Sequence, residues 1–318
     1  MSAVLGAGRW MYQRPWLLLF FTALFWAGNA IVGRAAVTAV PPIGLAFWRW
    51  FFAFLVLLPF AWRPVLNDRE ALKCHWPVIV ALGVIGIATF NTCLYIGLGA
   101  TQAINAGLLQ AAMPAIIIIF LLFLGERPGW RELAGMALAL AGVVVTLFKG
   151  DWQRLASLSL NEGDAWVFAG VVLYAAYSVG LRWRPQIHPM TFLSLTFMTG
   201  WVALLPLYIW ESFHAQPFTL GRDSILAVLY VTIFPSILAY VCFNRGVELL
   251  GASKAGLTLY FVPILVSLLA VLLLGEPFRL YHLAGLALIL GGVVFAQLRR
   301  KDSLKEDLGE DSVETDRE

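Results

Sequence analysis

The chain repeats one long apolar segment, and this repetition constrains the fold more than any other feature of the sequence. Residues 103–126 and 252–276 share an Ala-Gly pair, a proline seven residues after that glycine, and a closing Leu-Gly-Glu. Each segment contains roughly 20 apolar residues, which at about 1.5 Å per residue is enough to cross the hydrocarbon core of a bilayer. The shared pattern therefore predicts two equivalent transmembrane helices in an internally duplicated chain.

Composition places the chain in a membrane and narrows its partners. Of its 318 residues, 60% are hydrophobic and 13% are charged, which excludes a soluble globular protein of ordinary composition. The basic residues behind the net charge of +3 are scattered singly through short loops, so we expect no nucleic-acid partner. Three cysteines in apolar settings are too few for a disulfide framework or a metal site, and we expect no cofactor. The predicted partners are the lipid bilayer and a small-molecule substrate.

The other apolar segments extend the duplication over most of the chain. Matched residues in the two halves, such as Pro42 with Pro189 and Gly97 with Gly246, lie 147–150 residues apart. We predict an all-α membrane protein with ten transmembrane helices arranged as two five-helix repeats. An odd number of helices makes the second repeat enter the membrane from the opposite side, so the repeats are predicted to be inverted. The predicted spans are 15–34, 42–62, 76–98, 102–124, 130–148, 164–182, 189–210, 223–246, 253–274 and 280–298.

Basic residues predict the orientation of the chain. With the N-terminus in the cytoplasm, sixteen Lys and Arg residues fall on that side and five on the other, so both termini are predicted to be cytoplasmic. The first span follows Arg9 and Arg14 and could by itself be a secretory signal, but its equivalent in the second half indicates a retained helix. The predicted organisation is a cytosolic N-terminal segment 1–14, a first repeat 15–149, a periplasmic linker 150–163, a second repeat 164–298 and a disordered cytosolic tail 299–318.

Several sequence motifs resemble a known family. The first span contains Trp-Ala-Gly-Asn, the second contains Phe-Trp-Arg-Trp around Arg49, and the fourth and ninth share the Ala-Gly, Pro and Leu-Gly-Glu pattern. Over about residues 15–298 the chain resembles the drug/metabolite transporter superfamily, specifically its EamA-type ten-helix metabolite exporters. The resemblance implies a multi-pass carrier of the cell inner membrane that exports small metabolites, often amino acids or their derivatives, by alternating access through a central cavity. We expect a monomer or homodimer.

Polar side chains inside the predicted spans are candidates for substrate binding, because such groups are costly in lipid. Asn91 and Tyr95 lie four residues apart, and their equivalents Tyr240 and Asn244 repeat the spacing with the identities exchanged. Either these pairs face a central aromatic and amide-lined cavity, which we favour because they recur in both halves, or they hold helices together. The predicted substrate-binding residues are Trp26, Asn29, Arg49, Asn91, Tyr95, Gln110, Tyr174, Tyr177, Tyr240 and Asn244.

Arg49 and the paired prolines carry separate expectations. Arg49 could bind a substrate carboxylate with its planar guanidinium, or it could extend to the membrane surface or bond free backbone carbonyls. Pro114 and Pro263 each remove a helical hydrogen bond, although proline is also common in membrane helices. Together with Gly107 and Gly256 they are the predicted hinge residues for alternating access.

The acidic residues and histidines weigh against several function classes. The acidic residues near the spans fall at span ends, which disfavours a central proton relay and a multidrug exporter of lipophilic cations. The histidines are expected to be isolated and no nucleophile has a base beside it, so we expect no enzyme. An importer or facilitator of similar solutes stays open, as does a membrane structural or assembly protein, which would give no reason for an inverted duplication. Glu126 and Glu276 are expected to cap helices or anchor loops, with a gating role open to them.

Overall fold

The computed structural model describes residues 12–151, 153, 156, 160–215, 217–251, 255 and 260–310, with side chains up to residue 296. Helices make up most of this part of the chain, and it contains no strand. They are α1 (Pro15–Ala35), α2 (Pro42–Asn67), α3 (Arg69–Ala100), α4 (Ala103–Phe123), α5 (Trp130–Leu147), α6 (Glu162–Trp183), α7 (Pro189–His214), α8 (Arg222–Leu250), α9 (Phe261–Leu274) and α10 (Leu280–Glu310).

Eight helices, α1 to α8, are long and apolar enough to cross a bilayer. Within the described residues, the apolar parts of α9 and α10 are shorter, at Phe261–Leu274 and Leu280–Ala296. The all-helical membrane class is confirmed, with eight helices of spanning length where ten spans were predicted. Several helices also run past the predicted span ends, and α10 continues to Glu310 rather than stopping at residue 298, because helical hydrogen bonding does not end where an apolar run ends.

The helices pack in a pattern that is unchanged when the two halves are exchanged. Across the halves, α2 packs on α7, α4 on α9 and α5 on α10. The contact of α3 with α6 is matched by that of α8 with α1, and the contact of α4 with α6 by that of α9 with α1. A two-fold relation between repeats produces this pattern, since it exchanges α1 with α6, α2 with α7 and so on along the chain.

The contact of α5 with α10 depends on equivalent glycines. A Cβ added to Gly135 would lie 2.3 Å from the Gly292 carbonyl oxygen, and one added to Gly292 would lie 2.4 Å from that of Gly135. A second contact joins Gly142 to Gly285. Gly135 is the repeat equivalent of Gly285, and Gly142 that of Gly292, so the two contacts exchange with the repeats. Small residues let the two backbones approach closely, as is usual in membrane helix packing.

Two π-helical segments interrupt α3 and α8 at equivalent places, and sequence reasoning did not find them. Gly83–Thr89 lies in α3 and Phe234–Leu238 lies in α8. Each ends two residues before a predicted site residue, Asn91 in the first half and Tyr240 in the second. Single π turns rotate the residues that follow them and are frequent at functional sites. These segments therefore help to set where the polar side chains of α3 and α8 point.

The proline of α4 accompanies a break in that helix. The helical parts Ala103–Ala111 and Met113–Phe123 meet at Ala112, one residue before the turn that contains Pro114. Both Leu-Gly-Glu stops have the same backbone geometry, because Gly125 and Gly275 adopt positive φ values of 83° and 66°. Glycine adopts this left-handed conformation without the steric penalty of a Cβ, so it ends α4 and α9 in the same way.

Candidate functional site

Arg49 is the centre of a buried hydrogen-bond cluster. Its Nη1 donates to Asn29 Oδ1 at 2.9 Å, Asn91 Oδ1 at 2.7 Å and Tyr95 Oη at 2.7 Å, while its Nε donates to Ser236 Oγ at 2.7 Å. The Tyr95 hydroxyl also donates to Asn29 Oδ1 at 2.7 Å. These five residues, Asn29, Arg49, Asn91, Tyr95 and Ser236, are called the Arg49 cluster below. They come from α1, α2, α3 and α8, so the cluster joins the two repeats.

The guanidinium of Arg49 is a buried cation without a carboxylate beside it. The residue is 4% exposed, and it forms no ion pair within the described part of the chain. The Trp50 ring lies 4.4 Å from the guanidinium carbon and offers its π face to the charge. The two alternatives to carboxylate binding are wrong for this conformation, because the side chain does not reach the surface and bonds side-chain oxygens rather than backbone carbonyls.

Two donors beside this cluster have no protein acceptor. Arg49 Nη2 and Trp50 Nε1 make no hydrogen bond with any described residue. Trp50 Nε1 is buried, and a buried donor without an acceptor is costly and requires an explanation such as a bound water or ligand. Sequence reasoning named Arg49, Asn29, Asn91 and Tyr95 but missed Ser236, whose only signal in the sequence was that it is a polar residue directly after Pro235 inside the predicted span 223–246.

Four of the other predicted residues form an aromatic group beside the cluster. Trp26 meets Tyr240 edge-on with ring centroids 6.2 Å apart, and its Nε1 donates to the Pro235 carbonyl at 3.2 Å. The Tyr174 and Tyr177 rings lie 5.2 Å apart, and the hydroxyls of Tyr174 and Tyr240 are close enough to interact. Trp26, Tyr174 and Tyr240 are half-buried, whereas Tyr177 is buried.

The remaining predicted residues lie apart from the Arg49 cluster. Asn244 is exposed on α8, and the Gln110 amide donates to the Ala106 carbonyl one turn earlier at 3.1 Å. Gly107 is buried, and a Cβ added there would lie 2.8 Å from a Val266 methyl group. Among the four predicted hinge residues, Pro263 lies in the first turn of α9, and Gly256 lies outside the described residues. The hinge assignment stays a prediction.

An open cavity lies at one end of the bundle. It measures about 370 Å³ and is lined by α4, α5, α10 and the loop that carries Glu126. Pro114 and Met136 are on its wall, and no member of the Arg49 cluster is. Its volume is within the range of small-molecule sites. We call this end of the bundle the Glu126 end, and the opposite end, where α4 begins, the Glu276 end.

The Glu276 end is held together by buried carboxylates that accept backbone and side-chain hydrogen bonds. Glu276 accepts from Ala103 N at 2.8 Å and Ile104 N at 3.1 Å, at the start of α4. Glu211 accepts from Ile43 N at 3.1 Å and Gly44 N at 2.7 Å, at the start of α2. The first backbone N–H groups of a helix lack partners within the helix, so these carboxylates act as caps supplied by other helices.

A second polar cluster at the same end corrects one expectation. Thr101 Oγ1 and Asn105 Nδ2 donate to the fully buried Asp164, and His282 Nε2 lies 3.1 Å from Asn105 Oδ1. His282 Nδ1 accepts from the Arg279 backbone N–H at 2.9 Å, so the ring proton is on Nε2 and is donated to Asn105. The expectation that His282 is isolated is therefore wrong, because folding places α10 beside α4.

The fold and these polar clusters define a multi-pass helical membrane protein with two related repeats and buried polar groups between them. Residues 14–148 and 161–297 each match the EamA-like transporter family. The two matches cover most of the chain, which belongs to this family and, with it, to the drug/metabolite transporter superfamily. It is a membrane transporter, as the resemblance in the sequence implied.

Similar proteins from three other sources are also named as transporters or exporters. The "Uncharacterized transporter YyaM" of Bacillus subtilis is 26% identical, over 88% of this chain and 92% of that protein. The "Uncharacterized inner membrane transporter YicL" of Salmonella typhimurium is 27% identical, over 90% and 96%. The "Probable terminal-alkyne amino-acid exporter" of Streptantibioticus cattleyicolor is 28% identical, over 88% and 92%. A solved crystal structure with a TM-score of 0.61 and 24% identity covers 89% of this chain and 97% of its own, which supports the fold.

Proposed function

We propose that this protein exports small metabolites that carry a carboxylate, with amino acids or their derivatives as the main class, by alternating access. The substrate carboxylate binds Arg49, and its apolar part contacts the aromatic group of Trp26, Tyr174, Tyr177 and Tyr240. The protein lies in the cell inner membrane with both termini in the cytoplasm, following the distribution of basic residues. A relative named as an amino-acid exporter supports this substrate class.

The buried charge of Arg49 is the observation that carries the proposal. A cation removed from water is costly unless an anion or several oriented oxygens compensate it. In this conformation, amide and hydroxyl oxygens bond Nη1 and Nε, whereas Nη2 has no described acceptor. A carboxylate oxygen is a strong acceptor for a guanidinium N–H, and Nη2 is the guanidinium nitrogen without a described partner. A substrate carboxylate would supply the acceptors that the protein lacks.

Binding to purified protein tests the role of the carboxylate. Common amino acids would be compared with their carboxamides, which keep the side chain and lose the negative charge. We expect the carboxamide of a bound amino acid to bind at least roughly tenfold more weakly, since a charged hydrogen bond is lost in a buried site. Arg49→Gln should remove this preference, and Arg49→Lys should restore only part of it because the planar fork is lost. Arg63→Gln, at an exposed arginine of α2, is the matched control.

Release from cells tests the direction of transport. Cells fed dipeptides accumulate free amino acids, and expression of the protein should speed their release into the medium. Labelling of Cys74 tests the proposed orientation of the chain in the membrane. Because the start of α3 is placed in the cytoplasm, the exposed Cys74 should react with an impermeant maleimide in everted vesicles and not in whole cells. Equal binding of amino acids and carboxamides would refute the carboxylate site. Faster uptake with no faster release would refute export and favour an importer.

A further inference from the structure

Two arginine–glutamate pairs occupy equivalent places in the two repeats. Arg34 Nε lies 3.8 Å from Glu276 Oε1, and Arg182 Nη2 lies 2.7 Å from Glu126 Oε1. The arginines are 148 residues apart and the glutamates 150, which are offsets of the internal duplication. Each pair joins the end of the first helix in one repeat to the Gly-Glu that follows the fourth helix in the other. The pairs therefore exchange when the repeats exchange.

The two pairs lie at opposite ends of the bundle. Glu276 caps the start of α4 through Ala103 N and Ile104 N, whereas Glu126 follows the end of α4 at Phe123. The 21 residues of α4 span about 30 Å at 1.5 Å per residue, which is the thickness of a bilayer core. One ion pair thus sits near each end of the membrane-crossing region.

The two pairs have different surroundings in this conformation. The Glu276 side chain is 8% exposed, and its partner Arg34 also donates to the Leu98 carbonyl at 2.6 Å. The Arg182 and Glu126 side chains are 40% and 49% exposed, and Glu126 lines the open cavity. An exposed pair is screened by water and contributes little, whereas a buried carboxylate with two backbone donors holds its helix firmly. The Glu276 carboxylate is therefore held inside the protein, whereas the Glu126 carboxylate faces an open cavity.

We propose that these two pairs are reciprocal gates for alternating access, a statement that rests on the proposed transport function. Arg34 and Glu276 close one end by fixing the start of α4 against α1 and the end of α9. When that end opens, Glu276 leaves the start of α4 and becomes exposed, as Glu126 is in this conformation, and the other end closes by burying Arg182 and Glu126. Because each end has the same kind of pair, the carboxylate that becomes exposed at one end is replaced by the one that becomes buried at the other, which keeps the two states close in free energy.

Cysteine labelling tests the gates without any substrate. The native Cys74, Cys93 and Cys242 would first be replaced by alanine. Leu98→Cys, at a fully buried position beside Arg34, reports opening of the Glu276 end. Met136→Cys, on the cavity wall, reports opening of the Glu126 end. Reaction rates with a maleimide are measured on purified protein in detergent for each reporter alone and with each gate variant.

Glu276→Gln should shift the protein toward the state open at the Glu276 end. We expect labelling of Leu98→Cys to become about tenfold faster and labelling of Met136→Cys to become slower, because one charged cap and one ion pair are lost. Arg34→Gln should act in the same direction but less strongly, since the cap remains. Glu126→Gln should act in the opposite direction and slow labelling of Leu98→Cys, because the state closed at the Glu126 end loses its buried pair. Glu248→Gln, at an exposed pair on α8, is the matched control and should leave both labelling rates within about twofold.

Opposite changes at the two reporters distinguish a gate from a structural contact. If Glu276→Gln and Arg34→Gln speed labelling at both ends together, the pair only stabilises the fold and the gate proposal is wrong. Unchanged rates at both reporters would also refute it. Because no substrate is used, opposite changes together with an absence of amino-acid binding would uphold the gates while refuting the proposed substrate.

Discussion

Replacing Glu211 by alanine tests whether one buried carboxylate from α7 holds the start of α2. Glu211 is 4% exposed and accepts from the N–H groups of Ile43 and Gly44. Pro42 has no N–H group, and the next donor, Leu45 N, bonds a backbone carbonyl at 2.9 Å. Glu211 therefore accepts both of the backbone donors in the first turn that lack a backbone partner. Its removal leaves the N–H groups of two buried residues without a protein acceptor.

The expected loss follows from those two donors. Each unsatisfied N–H costs about 1–2 kcal/mol, so Glu211→Ala should lose about 2–4 kcal/mol. At roughly 2 °C per kcal/mol for a chain of this size, the Tm should fall by about 4–8 °C. Glu211→Gln keeps one acceptor oxygen but loses the charge that favours a helix N-terminus, so we expect about half of this effect.

Heating the detergent-solubilised protein and measuring the remaining monodisperse fraction by size exclusion gives the Tm. Glu248→Ala is the matched control, because Glu248 has a 62% exposed side chain and pairs with Arg245 three residues earlier on α8. Such a surface pair contributes well under about 1 kcal/mol. If Glu211→Ala melts within about 1 °C of Glu248→Ala, water satisfies the start of α2 and the capping argument is wrong.

Three further predictions concern the hinge, the helix contact and the polar pairs. Pro114→Ala should slow amino-acid release more than it lowers expression, because α4 can then continue through its break; equal losses would indicate a folding role. Gly135→Leu should cost at least about 1–3 kcal/mol, measured as a lower Tm, because any side chain there meets the Gly292 carbonyl; an unchanged Tm would contradict the close approach of α5 and α10. Asn91→Ala should weaken amino-acid binding about ten- to hundredfold, and Asn244→Ala should weaken it less, since Asn244 lies outside the Arg49 cluster. A larger loss for Asn244→Ala than for Asn91→Ala would place the binding site near Asn244 rather than at the Arg49 cluster.

Much of the fold could be predicted because its signals are local. Apolar runs, Gly-Glu stops and proline positions each lie within one segment, and their repetition about 148 residues later indicates duplication. The positive φ angles of Gly125 and Gly275 show that the matching stops have the same geometry. The π segments of α3 and α8 left no comparable signal, since a one-residue change in helical register depends on how neighbouring helices pack.

The sequence alone determined that this chain is a duplicated helical membrane protein, because membrane solvation requires long apolar helices and the repeats preserve their spacing. Its motifs further resemble those of the EamA-type transporters. Only the tertiary structure decided which polar residues meet. Arg49 and Ser236 are 187 residues apart and form a 2.7 Å hydrogen bond, whereas Asn244, a repeat equivalent of Tyr95, is exposed. A duplicated pattern predicts that equivalent positions have equivalent surroundings. The repeat equivalent of Arg49 is the buried Thr196, which is uncharged. The buried charge therefore exists in the first repeat only, and the polar side chains that bond it gather around Arg49 rather than around Thr196. That asymmetry arises from packing and electrostatics between distant segments, which no local pattern records.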